Sequence, residues 1–130
     1  MAQVVILLDD AGLSAEALDL IIGDTISDRV EVVVTDPGYM RVLNRRYRHI
    51  DRTTDVLSFD LAASEDDRPE GTIYVDGRLF PPIGELLERI FHGYLHLTGR
   101  THDTDGDSEA MAEDVSCMVR SAMERSSLSC

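Results

Sequence analysis

His92-Gly93-Tyr94-Leu95-His96-Leu97-Thr98-Gly99-Arg100-Thr101-His102 holds three of the chain's four histidines. His92 and His96 are four residues apart, so on a helix they share one face, one turn apart. If the helix simply continued, His102 would lie roughly 240° round from His96 and about 9 Å along the axis. Zinc–nitrogen bonds are about 2.0–2.1 Å long, so a shared ion would be out of its reach. Gly99 resolves this, because glycine readily takes the left-handed conformation that ends a helix and turns the chain back. The spacing predicts a helix from about Gly84 to Thr98, opened by the break at Pro81-Pro82. It also makes His92, His96 and His102 candidate ligands of a single metal ion.

The pattern H-x-x-x-H-x-x-G-x-x-H is the zinc frame of metzincin peptidases, with Gly93 where those enzymes carry a general-base glutamate. It reads as a metal site without the peptidase's proton-transfer group. A lone histidine on an apolar helix is more often a hydrogen-bonded core residue. Three histidines with the turn glycine in place favour the metal. Three protein ligands leave a fourth position open, the pattern of catalytic rather than structural sites.

Outward from this stretch, residues 1–130 read as one domain, long enough to bury a core without staples. Apolar content of 43% with 28% charged residues is that of a soluble globular protein. The apolar run Val4 to Leu8 is too short for a signal-peptide core or a membrane span, so a cytoplasmic protein is expected, with no membrane partner. A monomer is the expected state. Cys117 and Cys130 form neither a disulfide framework nor a CxxC site; Cys117 reads as a small core residue.

Net charge is −13, which taken alone argues against a nucleic-acid partner. All twelve basic residues are arginines, and Arg41, Arg45, Arg46, Arg48 and Arg52 crowd into a stretch whose one acid is Asp51. That stretch is about +4 and the rest about −17, either a local anion-binding patch or a solvated helix face balanced by nearby acids.

The remaining pattern alternates strands and helices. Gln3 to Leu8, Arg29 to Thr35, Asp55 to Leu61 and Gly71 to Val75 read as strands. Ser14 caps a helix through Ile22, with Leu13 and Leu18 as a hydrophobic staple and Gly23 as terminator. Asp36-Pro37 is an N-cap followed by proline at the first helical position, opening a helix to about Arg48. Met40, Leu43, Asn44 and Tyr47 line one stripe of it. Ala62 to Glu70 reads as an acidic surface loop. A last helix from about Ser108 to Arg125 shows the stripe Met111, Val115, Met118, Val119 and Ala122, with Asp107 or Ser108 as its cap. The acidic turn before it lacks the glycine and the bidentate glutamate of a calcium loop. The fold class is α+β: a small mixed four-stranded sheet with packed helices and a zincin-like metal site.

Two motifs in order resemble the YbeY family of rRNA maturation endoribonucleases. The family signature H-G-x-L-H-L-x-G-Y-D-H meets HGYLHLTGRTH at His92 to His102. Upstream, Asn44, Tyr47-Arg48 and Thr54-Asp55-Val56-Leu57-Ser58-Phe59 follow the family's asparagine, tyrosine-arginine pair and T-D-V-L-S-F. The likeness runs from about Asn44 to Met118. It implies one metal, zinc or another divalent transition metal, on His92, His96 and His102, facing a basic channel that includes Arg48. It further implies action on ribosomal RNA of the small ribosomal subunit, in 3′-end processing and ribosome quality control. Arg48 is then the candidate to stabilise charge developing on phosphorus. Arg100-Thr101 replaces the family's tyrosine-aspartate, which leaves any orientation of a ligand histidine from that side in question. Asp55 reads equally as a strand-ordering residue or part of the site. The alternatives are a ribosome-assembly binding factor with a structural metal, and a small metallohydrolase of another substrate.

Overall fold

The structure, a computed structural model, describes residues 3–7, 15–23, 25–26, 29–60, 70–77, 83–98 and 105–124, with the backbone alone at Gln3, Asp60 and Asp105. Its elements are β1 (Gln3–Ile6), α1 (Ala15–Ile22), β2 (Val30–Thr35), α2 (Pro37–Arg48), β3 (Val56–Asp60), β4 (Gly71–Asp76), α3 (Ile83–Leu97) and α4 (Asp105–Glu124). The strands form one sheet in the order β1-β2-β4-β3. β1, β2 and β4 run parallel, and β3 pairs antiparallel with β4 at the edge, Val56 facing Val75 and Asp60 facing Gly71. This is the expected mixed four-stranded α+β fold.

β2 is buried at all but one position because the sheet is covered on both faces. Side-chain alternation separates the two cores. Ile73 and Val75 of β4 join Val32, Leu87, Ile90 and Phe91 in the larger core, under α1, α3 and α4. Tyr74, Leu57 and Phe59 turn the other way and meet Met40 and Leu43 of α2. α3 lies between the β3–β4 edge and α4, which is why it buries residues on more than one side, from Leu86 to Leu97.

α2 is built as its sequence dictates at the start. Asp36 is extended and its carboxylate accepts from the Tyr39 N–H at 2.8 Å, with Pro37 as the first helical residue. Its end is less ordinary. His49 is left-handed, φ 60°, and its N–H closes the last turn onto the Arg45 carbonyl. A non-glycine residue there carries a penalty of about 1–2 kcal/mol, part of which the stiffer unfolded chain returns. His49→Gly is therefore expected to stabilise by about 0.5–1 kcal/mol, read as a higher urea midpoint at unchanged slope. A lower midpoint would mean that the imidazole itself holds the turn.

Two expectations need correction. α4 begins at Asp105, so Asp107 and Ser108 are exposed members of its first turns and not its cap; the carboxylate of Asp107 suits the positive helix end. Cys117 is exposed, because the buried stripe through Met111, Val115 and Ala122 leaves it on the outer side of α4. Tyr47 takes its expected place on the α2 stripe, edge-on to Phe59 and 56% exposed. The proposed cap at Ser14, the staple residue Leu13, residues 61–69, Pro81-Pro82 and Cys130 lie outside the described residues.

Candidate metal centre

His92 and His96 stand on one face of α3, as the four-residue spacing requires. Both are half-buried. Their rings meet edge-on, centroids 4.7 Å apart, and their Nε2 atoms converge to 3.1 Å. Two ligand nitrogens on a tetrahedral zinc, each about 2.0–2.1 Å from it, sit about 3.3–3.4 Å apart. The pair is thus arranged close to one edge of such a site, although the same separation also fits an N–H of one ring donated to the other. His102, Gly99, Arg100 and Thr101 lie outside the described residues, and among the described residues no group of three potential ligands converges.

Gly93 is what lets this helix lie so close to the sheet. A Cβ there would fall 2.8 Å from Ser58 Oγ, 2.9 Å from Ile73 Cγ2 and 3.0 Å from Val56 Cγ2. The Ser58 hydroxyl instead donates to the Gly93 carbonyl at 2.8 Å, tying β3 to α3 between the two histidines. The position that holds a peptidase's glutamate is therefore filled by the sheet. Ser58 was not singled out from sequence as a site residue. Its signal was a lone hydroxyl on the Val56-Ser58 side of β3, opposite the apolar Leu57-Phe59 side.

Arg48, Thr54, Val56, Ser58, His92, His96 and Leu97 line one cleft of about 430 Å³. Arg48 reaches it from the last turn of α2. The segment after α2 is tied down twice: Asn44 Nδ2 donates to the Arg52 carbonyl at 2.9 Å, and the Thr53 hydroxyl donates to the Pro37 carbonyl at 3.0 Å. Asn44 is 3% exposed, and these bonds fix where Arg48 and Thr54 stand relative to β3. Asp55 lines a second cleft, of about 500 Å³, that shares Thr54, Val56 and His92 with the first and adds Glu88 and Arg89.

The arginine cluster divides into separate roles. Arg41 Nε donates to Asp51 Oδ1 at 2.8 Å, and this hydrogen bond and charge hold the Asp51 carboxyl below its usual range. For Arg41 the solvated, acid-balanced helix face is the right description. The Arg46 guanidinium lies 5.6 Å from the centre of the Tyr47 ring, and Arg48 enters the histidine cleft. Among the described residues no helix is long and apolar enough to cross a membrane.

Residues 11–88 match the family model described as endoribonuclease YbeY, a match that ends just before the histidines. An endoribonuclease YbeY of Koribacter versatilis is 35% identical over 120 residues, covering 81% of this chain and 77% of that protein. A stretch of 81% of these 130 residues takes in all three histidines of the motif wherever it begins. The corresponding protein of a Nitratiruptor species is 37% identical over 99 residues, covering 68% of each chain. The solution structure of TM1509 from Thermotoga maritima is similar at a TM-score of 0.61 and 30% identity, covering 96% of this chain and 91% of that one.

Proposed function

The chain belongs to the endoribonuclease YbeY family, and from that premise we propose that it cleaves single-stranded RNA in a metal-dependent reaction at the cleft between α3 and β3. The protein is an endoribonuclease of this family. Its proposed substrate is ribosomal RNA, in 3′-end maturation of the small-subunit RNA and in ribosome quality control, with the small ribosomal subunit as partner. His92, His96 and His102 are the proposed metal ligands, zinc the proposed ion, and residues 1–130 one domain working as a cytoplasmic monomer. The convergence of the two Nε2 atoms beside Arg48 is the observation that carries this reading.

A divalent ion held there would supply Lewis acidity toward a phosphoryl oxygen and lower the pKa of water. The rest falls to the chain. Arg48 presents planar paired donors to phosphate oxygens, where negative charge builds as the phosphodiester breaks. The Ser58 hydroxyl already donates its hydrogen bond to the Gly93 carbonyl, so its role is to clamp α3 rather than to attack. The attacker is then water or the RNA's own 2′-hydroxyl. The described lining of this cleft contains no carboxylate to act as general base, Asp55 and Glu88 lining the adjoining cleft instead, and this with the net charge of −13 favours, as the second reading, an assembly factor with weak cleavage.

Purified metal-loaded protein should cleave single-stranded RNA and lose that activity on chelation. Arg48→Lys keeps the charge and loses the planar fork, so kcat and kcat/KM should fall together, about tenfold or more, at nearly unchanged KM. Arg45→Ala, if that side chain only follows the RNA backbone, should weaken binding in a salt-dependent way. Equal effects of both, confined to affinity, would reduce Arg48 to one phosphate contact among several. RNA binding without cleavage would favour the assembly-factor reading.

A further inference from the structure

The sheet face opposite the histidines carries an aromatic cluster that the cleavage chemistry leaves unused. Tyr39 and Phe59 each meet Tyr74 edge-on, at 6.2 and 5.6 Å between ring centres, and Tyr47 meets Phe59 at 5.2 Å. Leu43, Tyr47, Phe59, Thr72 and Tyr74 line a cavity of about 220 Å³. That is below the roughly 300–1,000 Å³ of sites that enclose a drug-sized molecule, and suits a single ring system. Tyr47 is its most open wall, with Arg46 over the ring.

Two features connect this cavity to the histidine cleft. β3 is an edge strand, and its side chains alternate between the two places: Val56 and Ser58 line the cleft, while Phe59 lines the aromatic cavity. At the end of α2, Arg48 lines the cleft and its neighbour Tyr47 lines the aromatic cavity. Among the described residues no strand pairs with the far edge of β3, and an RNA strand passing over that edge would leave one site and enter the other. Charge selects the kind of strand. On a chain of net charge −13, the last turn of α2 presents exposed Arg45, Arg46 and Arg48 around this edge. Arginines beside open aromatic rings are the chemistry of single-stranded nucleic-acid platforms, where bases stack and the backbone is neutralised.

We propose that Tyr47, backed by Phe59 and Tyr74, stacks an unpaired base of the same RNA strand whose scissile phosphate lies in the histidine cleft. The proposal rests on the endoribonuclease reading and adds a subsite to it. Because stacking stabilises substrate and transition state alike, it acts on KM and leaves kcat nearly unchanged.

The test uses the whole protein and single-stranded oligoribonucleotides carrying 2-aminopurine at successive positions on either side of the cleavage site. The chain has no tryptophan, so the probe can be excited without competing protein emission. One probe position should be quenched on binding to wild type and lose that quenching in Tyr47→Ala. Tyr47→Ala should raise KM about tenfold or more, while Tyr47→Phe and Tyr47→Trp retain wild-type KM. Tyr47 is more than half exposed, and circular dichroism checks that the variants are folded. Cleavage by wild type, with an unchanged KM in Tyr47→Ala and no quenched position, overturns the subsite and leaves the ribonuclease intact. Failure of Tyr47→Phe would assign the effect to the hydroxyl and also overturn stacking. If Tyr47→Ala instead abolishes binding of a ribosomal protein while oligonucleotide affinity is unchanged, the cavity is a protein-docking site and the proposal falls. Absence of any RNA cleavage by wild type removes the parent reading and this one together.

Discussion

His96→Ala is expected to lose the bound metal and to cleave RNA at least about a thousandfold more slowly, since a metal contributes several kcal/mol to the stability of the transition state. His96 is half-buried in the cleft between α3 and β3, its ring faces His92 and it is no member of the hydrophobic core, so its truncation opens the cleft without removing a wall of the core. His92→Ala should behave alike. His102→Ala is the sharper experiment, because that ligand is assigned from spacing around Gly99 and from the family motif. Elemental analysis should find strongly reduced metal in all three variants, and full occupancy in His102→Ala would sink the three-ligand assignment. Stability separates a catalytic from a structural ion. An ion present at about a thousandfold over its Kd stabilises the native state by about 4 kcal/mol, so all three variants should melt lower than the loaded wild type. If they remain folded and bind RNA but do not cleave it, the metal works in the chemistry. If they unfold at ambient temperature, the metal holds the fold and the assembly-factor reading gains.

How much of this was readable beforehand depends on whether the relevant physics is local. The start of α2 is local: Asp36 and Pro37 specify a cap and a first turn by their own chemistry, and the helix begins where they stand. Its end is not marked in the same way, because His49 adopts a conformation that sequence reserves for glycine. Helical spacing alone put His92 and His96 together. It should also have placed Cys117 outside, since the stripe through Met111, Val115 and Ala122 already fixed which side of α4 is buried. The strand order β1-β2-β4-β3 rests on pairings between distant segments, to which no single stretch testifies. For the same reason only the family motif could bring Arg48 to the histidines. Their meeting depends on β3 being an edge strand and on Asn44 and Thr53 tying the intervening segment to α2.

Gly93→Glu completes the peptidase pattern on paper, and it is expected to unfold the protein rather than to create a peptidase. The added Cβ would meet Ser58, Ile73 and Val56 at 2.8–3.0 Å, and two of those three neighbours are β-branched side chains with little freedom to withdraw. Overpacking of this kind costs about 1–3 kcal/mol. The carboxylate would enter a buried position against the sheet, and an ionised group without a partner there costs several kcal/mol more. Displacing the Ser58 hydroxyl from the Gly93 carbonyl removes about another 1 kcal/mol. Together these consume most of the roughly 5–15 kcal/mol that holds a domain of this size. Gly93→Ala isolates the first contribution. Alanine returns up to about 1 kcal/mol of helix propensity, so the net loss should be about 1–2 kcal/mol, read from the urea midpoint. A Gly93→Glu protein with the wild-type midpoint would show that α3 can lift off β3 without cost. The histidines would then owe their position to something other than this contact. The expected result has the opposite meaning: the residue between the two ligands is small because the sheet occupies its space, and the general base of a peptidase has nowhere to stand.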